Sequence, residues 1–195
     1  MYGLFRPRVL GSWKVPVTGP VILAVNHAHN VDGPMVMGVA PRPTHFLIKK
    51  EAFVGPLGPF LGAIGQVEVD RRSTDRTAIT RALSVLDEGG VLGIFPEGTR
   101  GGGDFASLRA GLAYFAVRSG APIVPVAVLG STEKSGRLVK ALPPLRSRVD
   151  VVFGDPFPAG DGSGRRTRKA LDEATVRIQE RLTAHLENAR RLTGR

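Results

Sequence analysis

Val21-Ile22-Leu23-Ala24-Val25 is an unbroken apolar run, entered through Gly19-Pro20 and left through the polar pair Asn26-His27. Five residues of this kind, framed by turn formers, read as a strand buried on both faces. A strand with two apolar faces needs a layer on each side, and that need directs the reading of the rest. Outward from it, His45 to Ile48, Gln66 to Val69, Val91 to Phe95, Pro122 to Leu129 and Val149 to Phe153 repeat the strand signal. Between them lie helical segments. Asp75 to Glu88 places Ile79, Ala82, Leu83 and Leu86 on one face, with Ser73 or Thr74 expected as N-cap and Gly89-Gly90 as the stop. Leu108 to Ser119 aligns Leu108, Leu112 and Phe115 and ends at Gly120. The tail 167–192 is amphipathic, with Leu171, Ala174, Ile178, Leu182 and Leu186 in one stripe. Strands alternating with helices predict an α/β fold: one domain over residues 1–195, its mostly buried central β-sheet flanked by helices. Residues 159–166 are a Gly-, Ser- and Arg-rich linker to the last helix.

Composition narrows the partners. The chain has no cysteine, which excludes disulfides, thiolate metal sites and a cysteine nucleophile, and fits a reducing compartment. The formal charge of +10 draws such a chain to polyanions: nucleic acid, anionic lipid or phosphorylated substrates. A solvated basic surface accounts for many single arginines equally well. The first residues lack the long apolar stretch of a signal peptide, and the uncharged run from Ala52 to Val67 is too short and too broken by Pro and Gly to span a bilayer. Membrane contact is therefore expected from the side. Residues 1–20 mix Tyr2, Leu4, Phe5, Leu10 and Trp13 with Arg6, Arg8 and Lys14, which suits either a lipid–water interface or a terminus packed on the body.

Three polar clusters follow apolar strands, where α/β proteins tend to place their sites. The first is Asn26-His27-Ala28-His29-Asn30-Val31-Asp32. A neutral imidazole can take a hydroxyl proton when a carboxylate holds the ring and stabilises the imidazolium. Asp32 can do this for His27 if the chain passes from strand to helix between them, with Asn30 as N-cap and Pro34 early in the helix. His27, His29 and Asp32 could alternatively hold a metal. The second cluster ends in Asp70-Arg71-Arg72, where forked guanidinium donors can grip a phosphate or simply decorate a turn. The third is Phe95-Pro96-Glu97-Gly98-Thr99-Arg100, followed by Gly101-Gly102-Gly103. Gly98 allows close backbone approach, and Thr99 and Arg100 offer donors to an anion. No Lys-Ser/Thr follows, so this is not a nucleotide P-loop.

Taken in order, Asn26-His27-x4-Asp32, Lys49-Lys50-Glu51, Gly65-x3-Val69-Asp70-Arg71, Phe95-Pro96-Glu97-Gly98-Thr99-Arg100 and Val124-Pro125-Val126 resemble the motif blocks of the glycerophospholipid acyltransferase family. Its best-known members are 1-acyl-sn-glycerol-3-phosphate acyltransferases. The resemblance runs from about Val21 to Pro156. It implies an α/β enzyme without metal or bound cofactor, using acyl-CoA or acyl-carrier protein as donor and a phosphate-bearing lipid as acceptor. It also implies a cytoplasmic protein peripherally associated with an anionic membrane surface, and no nucleic-acid partner. Carried over by position, His27 is the general base and Asp32 its orienter, while Lys50, Arg71, Glu97, Gly98, Thr99 and Arg100 shape the acceptor site. Phe53 to Ile64 would lie near the acyl chain or the membrane.

The sequence departs from the family pattern at His29, where Ser is common, at Glu68, in a usually apolar slot, and in lacking apolar helices before the first motif. Those departures leave membrane anchoring and acceptor identity open. Glycerol 3-phosphate, another lysophospholipid or a glycolipid could replace 1-acylglycerol 3-phosphate. A non-catalytic module binding anionic lipid or nucleic acid is the rival from outside the enzymes.

Overall fold

The computed structural model describes residues 5–70, 75–98, 103–131, 146–160 and 167–195. Its centre is a seven-stranded mixed sheet in the order β1-β7-β6-β2-β5-β3-β4. The strands are β1 (Arg6–Leu10), β2 (Val21–Val25), β3 (Thr44–Lys49), β4 (Val67–Val69), β5 (Val91–Ile94), β6 (Ile123–Leu129) and β7 (Arg148–Phe153). Strands β2 to β6 all run the same way, whereas β7 is antiparallel to β6 and carries β1 parallel to itself. The helices are α1 (Asp32–Val39), α2 (Leu57–Ala63), α3 (Arg76–Asp87), α4 (Gly111–Ser119) and α5 (Arg168–Thr193), with 3-10 turns at Ser12–Lys14 and Lys50–Ala52.

Alternation along the strands sorts the core into two layers. Val21, Leu23 and Val25 face one way with Phe46, Met35 and Val36, so α1 covers that face. Ile22 and Ala24 face the other, packed with Leu86 of α3, Leu112 and Phe115 of α4 and Ile178 and Leu182 of α5. Every residue of β2 is buried, and each fully buried aliphatic side chain contributes roughly 1.5–3 kcal/mol. That explains why the central strand lies in the most apolar run. Gly93 in β5 leaves the space that Phe46 fills, since a Cβ there would come within 2.5 Å of the ring.

Several boundaries differ from the sequence reading, each for a local reason. Arg6–Leu10 forms β1, although two arginines and a proline disguise it; as an edge strand it tolerates a residue without an N–H. The N-cap of α3 is Asp75, whose side chain accepts from Ala78 N at 2.9 Å and from Asp70 N at 2.9 Å. Ser73 and Thr74, expected in that role, lie outside the described residues. Helix α1 is capped by Val31 rather than Asn30, and Pro34 sits in its first turn, where the missing N–H costs nothing. Helix α4 starts at Gly111, because Arg109 N bonds instead to Pro96 O at 2.9 Å. Strand β4 lies at the sheet edge, with Val67 buried and Glu68 exposed, so the charged residue faces outward.

Candidate active site

The C-terminal ends of the parallel strands bring the polar clusters to one edge of the sheet. His27 follows β2, Glu97 and Gly98 follow β5, Lys50 follows β3 and Asp70 follows β4. The chain turns from β2 into α1 within a few residues, and Asp32 is the first helical residue. Its fully buried carboxylate therefore sits at a helix N-terminus, where the helix dipole and unpaired N–H groups favour a negative charge. One oxygen, Oδ2, accepts from Ala28 N at 2.9 Å and His29 N at 2.6 Å, and stands 3.3 Å from His27 Nδ1. With a proton on Nδ1 donated to Asp32, Nε2 of His27 carries the lone pair. The imidazole is mostly buried and stacks on Phe95, with centroids 4.0 Å apart and planes at 25°. Phe95 in turn stacks on Phe46 at 5.2 Å.

The loop after β5 is tied down at several points. Asn26, buried beside His27, accepts from Val128 N at 2.7 Å and donates to Val128 O at 3.1 Å and to Gly103 O at 3.2 Å. Glu97 Oε1 accepts from Phe105 N at 3.2 Å. Phe105, fully buried at a positive φ of 58°, is held by Gln179 of α5, which donates to its carbonyl at 2.9 Å. Burial pushes the Glu97 carboxyl above its ordinary range, with the Phe105 N–H pulling the other way and Asp104 adding to the rise. Gly98 has φ +72°, and a Cβ on it would collide with the Arg109 side chain.

The expected acceptor-site residues divide three ways. Glu97 and Gly98 stand beside His27's stacking partner Phe95. Lys50 is at the same edge, ion-paired with Asp70. Arg71, Thr99 and Arg100 lie outside the described residues. Sequence reading assigned no role to Arg109, Asn26 or Gln179. Arg109 lies in the Leu108-Arg109-Ala110-Gly111 segment, which opens a predicted helix and also resembles the family's pattern, without pointing to a role for the arginine. Among the described residues no carboxylate forms an ion pair with Arg109.

Behind Phe95 lies a cavity of about 290 Å³ between the sheet and helices α3 and α4. Leu47, Val69, Ile79, Ile94, Leu112 and Phe115 make its walls apolar, while Asp70, Asp75 and Arg109 supply charge. Residues 53–64 do not line it. Among the described residues no group of three His, Cys, Asp or Glu side chains is placed to hold a metal ion.

The family model described as Acyltransferase matches residues 6–129. The chain belongs to the acyltransferase family. This acyltransferase is 29% identical over 184 residues to the 1-acyl-sn-glycerol-3-phosphate acyltransferase of Bacillus subtilis, covering 93% of this chain and 88% of that protein. It is 34% identical over 122 residues to the enzyme of the same name from Borreliella burgdorferi, covering 60% of this chain and 49% of that protein. The acyltransferase fold also matches the crystal structure of PlsC, the 1-acyl-sn-glycerophosphate acyltransferase of Thermotoga maritima. There the TM-score is 0.68 at 21% identity, over 94% of this chain and 73% of that one. No helix among the described residues of the acyltransferase is long and apolar enough to cross a membrane.

Proposed function

We propose that this acyltransferase moves a fatty acyl group from acyl-CoA or acyl-carrier protein to the free hydroxyl of 1-acylglycerol 3-phosphate, with His27 as general base. The observation that carries this reading is the His27–Asp32 contact, whose imidazole stacks on Phe95, itself a wall of a mostly apolar cavity. Nε2 of His27 takes the hydroxyl proton as the oxygen attacks the thioester carbonyl, and Asp32 holds the ring and offsets the imidazolium charge. The tetrahedral intermediate collapses with loss of the thiolate, which receives the proton back from His27. The products are the diacyl phosphate and the free thiol. Every step uses the two substrates and side chains of the chain, with no cofactor.

The acceptor phosphate binds Arg109 together with Arg71, Thr99 and Arg100, and Gly98 lets its backbone approach closely. Glu97 acts here by closing the loop through Phe105 rather than by touching the anion, since two negative groups side by side repel. An acyl chain lies in the cavity behind Phe95, and the enzyme works peripherally at an anionic membrane surface on the cytoplasmic side. The test is acyl transfer by the purified protein from palmitoyl-CoA to 1-oleoyl-glycerol 3-phosphate, read by thiol release and product mass. His27→Ala should lower kcat by on the order of 10²–10⁴ with the fold intact. Undiminished turnover in that variant sinks the mechanism, and preference for glycerol 3-phosphate or another lysophospholipid in a mixed pool sinks the acceptor.

A further inference from the structure

The connection from β3 to β4 carries a surface unlike any other on the described chain. From Val54 to Ile64 no side chain can donate or accept a hydrogen bond, yet only Leu61 of this stretch is buried. Val54 is 62%, Leu57 46%, Phe60 57% and Ile64 37% exposed. Helix α2 can form here because Pro56 caps it and Pro59 falls in its first turn, where no N–H is missed. The result is a contiguous apolar face, of the kind that soluble chains leave uncovered only where something binds.

We infer that this segment inserts into the outer layer of an anionic lipid membrane and brings the His27 edge of the sheet against it. The inference rests on the acyl-lipid reading of the site, because it supplies the surface through which such an acceptor would be reached. Two observations favour lipid over a protein partner. A face with no polar side chain offers nothing to pair with a protein's polar rim, whereas acyl chains ask for none. The same sheet edge also carries charge of the right sign. Lys49, Lys50 and Arg109 are exposed there, and Arg6, Arg146 and Arg148 are exposed where β1 and β7 begin. Among the described residues of this edge only Glu51 and Asp104 are exposed anions, with Asp70 and Asp75 half-buried and Asp150 buried between Arg148 and Arg195. The segment starts at this edge, after Lys50–Ala52, and runs back along the β3–β4 side. Trp13, 79% exposed, and Val17, 84% exposed, sit after β1 and before β2, at the edge away from His27, and so serve as a control surface.

Three variants of the full chain test this: Leu57→Ser/Phe60→Ser, Trp13→Ser, and Phe60→Trp in a Trp13→Phe background. Partition onto vesicles of phosphatidylglycerol mixed with phosphatidylcholine should fall at least about ten-fold in the double serine variant and stay within about two-fold of wild type in Trp13→Ser. The tryptophan at position 60 should shift to the blue on binding and be quenched by lipids brominated on their acyl chains. Transfer to a short-chain acceptor dissolved as monomers should be the same in the double serine variant as in wild type. Wild-type partition by that variant, or a tryptophan at 60 that is neither shifted nor quenched while the protein is bound, overturns the inference. So does a self-associating protein that the serines turn monomeric without loss of vesicle binding. Failure of all transfer on every acceptor would defeat the proposed reaction while the vesicle arm still reads the surface.

Discussion

Phe95 presses its ring against the imidazole of His27 at 4.0 Å, and Phe46, seated over Gly93, presses against Phe95 from behind. The imidazole is thus held from two directions: Asp32 fixes one nitrogen, and the aromatic stack fixes the plane. Replacing Phe95 by Leu keeps the apolar volume but removes the flat wall. The expected outcome is a fall in kcat of about ten-fold, equivalent to about 1.4 kcal/mol, with the acceptor KM little changed. Steady-state kinetics on the two variants Phe95→Leu and Phe95→Tyr check it; a loss confined to KM would argue that Phe95 touches the acceptor instead.

Gly98 and Arg109 should behave as a unit. An alanine at 98 has to adopt φ near +72°, at a cost of about 1–2 kcal/mol, and its methyl takes the place of the Arg109 side chain. Gly98→Ala and Arg109→Ala are both expected to raise the acceptor KM by about ten-fold. The double variant should be no worse than either alone. Additive losses in the cycle would show that the two act separately.

Asn26 joins β2 to β6 and both to the loop after β5 through three buried hydrogen bonds. Asn26→Ala strands the Val128 N–H and two carbonyls, which costs about 2–4 kcal/mol. At roughly 2–4 °C per kcal/mol for a domain of this size, the thermal midpoint should fall by about 4–16 °C. Thermal melts of the purified variant measure it, and a shift of less than about 2 °C would mean that other groups satisfy those atoms.

His185 of α5 gives a pH dependence of known sign. Burial holds its pKa below the ordinary 6.5, and its Nε2 bonds to Val152 O at 3.0 Å. Below that pH the unfolded chain binds a proton that the folded one resists, so this contribution is full above pH 6.5 and is lost on acidification through the depressed folded value. The thermal midpoint should drop between pH 7 and pH 5 more steeply in wild type than in His185→Gln. Parallel curves would assign the acid sensitivity to other groups.

Much of this architecture is legible in the sequence because burial on both faces leaves no room for polar residues. Val21–Val25 is read to the residue and the bounds of α5 to within one at each end, although its buried face runs on past Leu186 to Ala189 and Thr193. Legibility fails where a residue serves the fold by exception. Arg6-Pro7-Arg8 makes a strand only because β7 offers it an edge, and α2 forms with two prolines because both sit where N–H groups are idle. At the site, the five-residue spacing of His27 and Asp32 could suggest a pair but not that Asp32 also collects two backbone N–H groups. Gln179 reaches the loop after β5 from α5, and no local pattern marks such a long-range contact, while Arg109 folds back on Gly98 within that loop.

The reversal of β7 and β1 has a practical consequence. Because these strands run against the rest of the sheet, Phe5 enters β1 at the edge where His27 lies, and Arg195 reaches that edge too, bonded to Asp150 at 2.9 Å. Strand β1 lies only about 14 Å across the sheet from β2. Whatever is joined to either end of this domain, whether an affinity tag, a fluorophore or a further stretch of polypeptide, is delivered beside the edge that carries His27. An internal tag in the turn between β1 and β2, at Val17, would leave that edge clear.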